Sequence, residues 1–207
     1  MNEELLFTYF DSYDKPLNDS IYDQQDKIDF IENTLIENKN TDINTSVNLD
    51  KELVKFYSVI DRWKMHWKTK EDYEVKLEGV FNILPLKEIL LGDLDFMPEK
   101  HPIMKGFTLL DFFYNEAAVG FYLDQPRRGL FYFEFDANPK PLQLDFKGYL
   151  EMLKYTKGFS YWQLDVLDIS KGYNLNNNNT LKKMMDLFPD FKYEEFKELY
   201  ESLRIDK

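Results

Sequence analysis

Few side chains in this sequence are of types that do chemistry by themselves. There are two histidines, His66 and His101, and no cysteine. Two imidazoles do not complete a tetrahedral zinc site, and no His-Glu-x-x-His helix is present. His66 lies in Trp63-Lys64-Met65-His66-Trp67, the setting of a packed or surface imidazole, and His101 precedes Pro102 in a loop with no adjacent nucleophile. Thiolate catalysis is excluded, and no Gly-x-Ser-x-Gly turn presents a serine. The eight glycines are dispersed, so neither Gly-x-Gly-x-x-Gly nor a Walker loop gathers backbone amides around a phosphate. Arg127-Arg128-Gly129 could touch an anion, although an arginine pair in a hairpin turn is ordinarily just solvated.

Carboxylates are the one abundant reactive type. Asp93, Asp95, Glu116, Asp124, Glu134 and Asp136 fall around the predicted sheet, and a glycosidase needs only two of them at the right separation. In a chain with 38 acidic residues such clustering also arises by chance, and no Asp-x-Asp-x-Asp-Gly calcium loop occurs. The expectation is a protein that is not an enzyme, with no catalytic, cofactor or metal site. A carboxylate-based hydrolase with an aromatic-lined cleft is the enzymatic alternative.

The elements that would carry any site follow from periodicity. Residues 1–20 have no clean period, and Leu5, Leu6, Phe7, Tyr9 and Phe10 suit a short docking arm. Ser20 can cap a helix from Ile21 to Asn38, and Asp50 a second one with the stripe Leu53, Phe56, Tyr57 and Ile60. From Tyr73 to Ile83 the period becomes two, which predicts a half-buried strand, and Pro85 opens a helical turn through Ile89. Gly92–Lys105 is a loop. Strands are predicted at Phe107–Tyr114, Ala117–Leu123 and Leu130–Phe135, with a hairpin connection at Asp124–Gly129. No helix-length segment separates them, so the sheet is an antiparallel meander. Asp145 caps a helix with the stripe Phe146, Tyr149, Leu150 and Leu153, Gly158 ends it, and Trp162 packs beyond. The run Asn176–Asn179 leads to amphipathic helices around Leu181–Phe188 and Tyr193–Leu203, whose apolar stripe either joins the core or lines a partner-facing groove. The fold class is α+β, an antiparallel meander flanked by N- and C-terminal helices. Its organisation is an arm (1–20), a domain (21–170) and an Asn-rich loop with C-terminal helices packed on it (171–207).

Charge narrows the partners. The net charge is −12, and residues 1–50 hold 12 acidic and 3 basic side chains. A polyanion would be repelled there and no basic stripe is evident elsewhere, so direct nucleic-acid binding is not expected. The acidic segment is either a solvated face or a device that steers a basic partner. Under the second reading Glu3, Glu4, Asp11, Asp14, Asp19, Asp23, Asp26 and Asp29 contact that partner, with exposed aromatic rings beside them as anchors. The acids among the first residues, the missing cysteines and the lack of a long apolar run predict a cytoplasmic protein that does not enter a membrane.

Four segments together resemble the SUKH superfamily (the Smi/Knr type). Leu49-Asp50-Lys51-Glu52-Leu53-Val54-Lys55-Phe56-Tyr57 is similar to its opening helix, and Phe81-Asn82-Ile83-Leu84-Pro85-Leu86-Lys87-Glu88-Ile89 to its strand and Pro-Leu-x-x-Ile turn. Ala118-Val119-Gly120-Phe121-Tyr122-Leu123 is similar to its central strand, and Leu144-Asp145-Phe146-Lys147-Gly148-Tyr149-Leu150 to its Phe-x-x-Tyr-Leu helix. The resemblance spans residues 21–165. The chain departs from it at Ile60-Asp61-Arg62-Trp63, where many members carry Asn-Gly, and after residue 170. The resemblance implies an α+β domain without catalytic residues. It further implies an immunity protein that neutralises a cognate toxin, often a nuclease, or else a regulatory scaffold that binds a cellular partner.

Overall fold

The computed structural model describes residues 7–14 (backbone only), 51–57, 60, 62–69, 74, 76–91, 106–114, 116–123, 129–134, 137–173 and 178–207. Seven strands form one sheet in sequence order: β1 (Phe7–Asp14), β2 (Arg62–Thr69), β3 (Glu78–Ile83), β4 (Phe107–Tyr114), β5 (Ala117–Tyr122), β6 (Phe131–Glu134) and β7 (Lys140–Pro141). All neighbours pair antiparallel, so the meander is as expected. The helices are α1 (Lys51–Tyr57), α2 (Leu86–Leu91), α3 (Phe146–Thr156), α4 (Trp162–Ser170), α5 (Asn179–Leu187) and α6 (Tyr193–Leu203).

Three elements differ from expectation. Within the arm, Phe7–Asp14 is strand β1, paired along its whole length with β2. Trp63 to Trp67 belongs to β2, in which Trp67 and Thr69 are buried while Lys64, His66 and Lys68 are exposed. That alternation has a period of two, but its outward positions are all basic and its inward ones are two tryptophans, Met65 and Thr69, so it resembles no ordinary strand at first sight. The third is α4: Trp162, Val166, Leu167 and Ile169 are buried together with Gln163 and Asp165, and a helix covered on most sides carries no polar stripe to betray it. The expected helix at 21–38, the loops at Asn38–Asn48 and Gly92–Lys105, and residues 124–128 lie outside the described residues.

Helices pack against the sheet, and β4, β5 and β6 are buried on both faces. Asp145 caps α3 by accepting from Gly148 N at 2.7 Å, and Lys157 and Gly158, both at positive φ, turn the chain out of it. Phe146 of α3 meets Phe56 of α1, and Phe191 sits between Phe159 and Phe196. Met184, Phe196 and Tyr200 of the C-terminal helices are fully buried, so their stripe joins the core. The hollow beside them, about 480 Å3 between α5 and α6, is lined by other residues, among them Leu181, Met185 and Tyr193. Among the described residues no helix is long and apolar enough to cross a membrane.

The sheet splits between β3 and β4. Their ladder is the single pair Ile83↔Asp111. Along that edge of β3, alternate amides find acceptors in three different places. Leu84 donates to the Leu110 carbonyl at 2.8 Å, Asn82 to the Asp111 carboxylate at 2.7 Å, and Val80 to the Gly158 carbonyl at 2.7 Å. Ser160 N returns a bond to the Glu78 carbonyl at 3.0 Å, and Phe159 pairs with Gly79. The connection between α3 and α4 thus stands in for the missing part of β4, which satisfies backbone groups that would otherwise be buried unpaired.

Gly79 shows how tightly this region is built. A Cβ there would overlap the Trp67 indole, whose Nε1 donates to the Lys157 carbonyl at 2.6 Å. Gly79→Ala is expected to destabilise the protein by about 2 kcal/mol, since the indole must move and give up that bond. Chemical denaturation followed by tryptophan fluorescence checks it, with a changed native spectrum marking the displaced ring.

Candidate binding surface

The split brings polar and aromatic side chains together at the end of the sheet. Tyr114 closes β4, and its hydroxyl donates to Glu78 Oε1 at 2.7 Å and shares a 2.6 Å bond with Ser160 Oγ. Ser160 Oγ also lies 3.1 Å from the Glu78 carbonyl. Tyr161, in the left-handed conformation before α4, stacks on Tyr114 with ring centroids 5.0 Å apart and an interplanar angle of 18°. Its hydroxyl donates to Glu116 Oε1 at 2.5 Å. Two strands over, on β6, Tyr132 donates to Glu134 Oε1 at 3.2 Å, and Lys140 pairs with Glu134 Oε2 at 3.1 Å.

Three carboxylates therefore surround a pair of stacked tyrosines. Burial and then the Glu116 carboxylate, with Glu78 and Glu134 behind it, push the Tyr161 hydroxyl up to about 12. Burial and Glu78 likewise raise Tyr114, against the lowering effect of Ser160, and burial and Glu134 raise Tyr132. These phenols stay protonated near neutrality and act as donors to the carboxylates, not as bases. The carboxylates keep free lone pairs for an incoming cation, and the Tyr161 and Glu116 side chains are only partly covered or exposed. Chemically, the surface suits lysine and arginine side chains: charge for the ammonium or guanidinium, ring faces for its stem.

Beneath it lies a second, buried polar group. Asp111 is fully buried; its Oδ1 accepts from Asn82 N and its Oδ2 from the Tyr149 hydroxyl at 2.7 Å. Gln163 Nε2 donates to the Tyr149 oxygen at 3.2 Å. Burial raises Asp111 to about 6 against the lowering effect of its two donors, and it raises Tyr149 well above its ordinary value. In α4, Asp165 accepts from Asn178 Nδ2 at 2.6 Å, while Asn178 Oδ1 caps α5 at Thr180 and Leu181. Burial, then the neighbouring Asp168, push Asp165 up to about 7. Asp111 and Asp165 are buried in the fold.

Of the acids expected to contact a partner, Asp11 and Asp14 lie on β1, opposite Met65 and Arg62. Glu3, Glu4, Asp19, Asp23, Asp26 and Asp29 lie outside the described residues. Of the carboxylates considered for hydrolysis, Glu116 and Glu134 meet at the tyrosine surface through Tyr161 and Tyr132, whereas Asp93, Asp95, Asp124 and Asp136 lie outside the described residues, as does His101. His66 is exposed on β2, 3.6 Å from Glu78 Oε2. Among the described residues no group of three or more His, Asp or Glu is arranged to hold a metal. Sequence reasoning missed Tyr114, Ser160, Tyr161 and Glu78. Only the string Phe159-Ser160-Tyr161-Trp162 just past a helix-ending glycine hinted that this connection does more than turn.

The chain is thus an α+β protein built on a split antiparallel meander, with a tyrosine–carboxylate surface at the split. No protein-family model, no curated protein and no solved structure matches it.

Proposed function

We propose that the protein is a non-catalytic binding domain whose acidic surface recognises a basic partner protein, acting as an immunity protein that neutralises a cognate toxin of the nuclease type. The observation that carries this reading is the Tyr114–Tyr161 stack ringed by Glu78, Glu116 and Glu134. Interfaces concentrate their binding energy in aromatic anchors, and complementary charge sets the association rate. The net charge of −12, concentrated in residues 1–50, works in the same direction. The resemblance of four segments to the SUKH superfamily supplies the toxin-neutralising role. A regulatory scaffold is the second reading, favoured by the same surface if the partner is a cellular protein.

Co-expression with the product of the adjacent gene, followed by pull-down and a growth-rescue assay, tests the proposal. Rescue with complex formation supports immunity, complex formation without toxicity supports the scaffold, and neither result removes both. Neutralising Asp19, Asp23, Asp26 and Asp29 together is expected to slow association at least ~3-fold at low salt and to flatten its salt dependence. Stopped-flow mixing at two ionic strengths measures it, and unchanged rates would remove the steering role of that segment.

A further inference from the structure

We propose that the outward face of β2 is a second docking site, for a short acidic segment of a partner protein in extended conformation. Trp63, Met65 and Trp67 point into the helical layer, where Trp63 packs on Phe81 and Trp67 on Phe188. The alternate positions are Arg62, Lys64, His66 and Lys68, every one of them basic, in a chain where acids outnumber Lys and Arg by 38 to 26. Arg62 is half-buried and engaged by Glu88. Lys64 and Lys68 are exposed and make no ion pair among the described residues, and His66 lies 3.6 Å from Glu78. Their register partners are Ser12, Phe10 and Thr8 on β1 and Asn82, Val80 and Glu78 on β3, so only Lys68 has an acid directly across from it.

The spacing and limits of this row select its occupant. Alternate residues of a strand are roughly 6.6 Å apart, so acids at every second position of another extended segment match Lys64, His66 and Lys68 one for one. The row is short: Glu88 closes one end and Glu78 flanks the other, with a strongly acidic molecule around it. A long polyanion such as nucleic acid would overrun the row onto like charge, whereas a few carboxylates fit within it. This site carries the opposite sign to the tyrosine surface and borders it at Glu78, which faces Tyr114 on one side and His66 on the other.

The test uses the full chain and a fluorescently labelled peptide with Glu at four alternate positions among Thr, titrated at low salt. Saturable binding is expected, weakened at least ~tenfold by the double variant Lys64→Glu, Lys68→Glu. Lys197→Glu, an exposed lysine on α6, is expected to leave it unchanged, and the same peptide with Lys for Glu is expected not to bind. Circular dichroism confirms that each variant is folded. Absence of saturable binding, equal binding by the double variant, or equally tight binding of an oligothymidylate at this row would overturn the proposal.

Discussion

Asp111→Ala is expected to cost about 3 kcal/mol at neutral pH, lowering the melting temperature by roughly 6–12 °C for a domain of this size. The reason lies in what the carboxylate holds. Its two oxygens accept the Asn82 amide and the Tyr149 hydroxyl, both within the fold where water does not replace them. Alanine leaves two buried donors unpaired, and the relief of burying a carboxylate offsets only part of that loss. Asp111→Asn retains one acceptor without the charge, so its cost should be about half as large. Thermal denaturation of the three proteins side by side measures the series. An alanine variant as stable as the parent would mean that the split between β3 and β4 is closed by something other than this side chain.

Acidification is expected to stabilise the protein, the reverse of the usual behaviour of carboxylates. Asp111 and Asp165 are raised in the folded state to about 6 and about 7, mainly by burial. Between the ordinary carboxylate value of 3.8 and those values, the native state holds protons that the unfolded chain has released. Stability therefore rises as pH falls through that window, is fully gained below 3.8, and is lost as pH rises through about 7. The full effect is on the order of 3 kcal/mol for Asp111 and 4 kcal/mol for Asp165. Asp190, Glu201 and Asp206 are lowered by lysine or arginine partners, so they oppose the trend only at the acid end of the range. Asp165→Asn keeps an acceptor for Asn178 and removes the charge. It should raise stability near pH 8 and flatten the dependence by about two-thirds, as read from urea midpoints between about pH 8 and about pH 5. A parent protein whose midpoint falls steadily over that range would contradict the burial of these two acids.

Where the sequence was legible, local patterning decided the structure. β4, β5 and β6 are apolar runs closed by turns, and α3 begins at Asp145 because the side chain reaches Gly148 three residues on. The two C-terminal helices announce themselves through a stripe at helical spacing that ends in the core. Tertiary context decided the rest. β2 turns basic residues outward and Trp63, Met65 and Trp67 inward, and its strand character shows only when β1 and β3 are beside it. α4 is covered on most sides, so its helical period is erased. The split in the sheet has no local signature at all: β3 looks like an ordinary half-buried strand, and nothing in Gly158-Phe159-Ser160 says that it will lie along that edge. The tyrosine–carboxylate surface depends on that insertion, which is why the acids near the amino terminus drew attention first.

The central claim is that recognition runs through the stacked tyrosines and their carboxylates. Its most direct test is the dissociation rate of the complex with the adjacent-gene product, comparing the parent with Tyr161→Ala and Glu116→Lys. Both variants should remain folded, because Tyr161 and Glu116 lie at the rim of the fold. Each variant is expected to dissociate at least ~tenfold faster. Dissociation from both variants at the parental rate would place the interface elsewhere and contradict it.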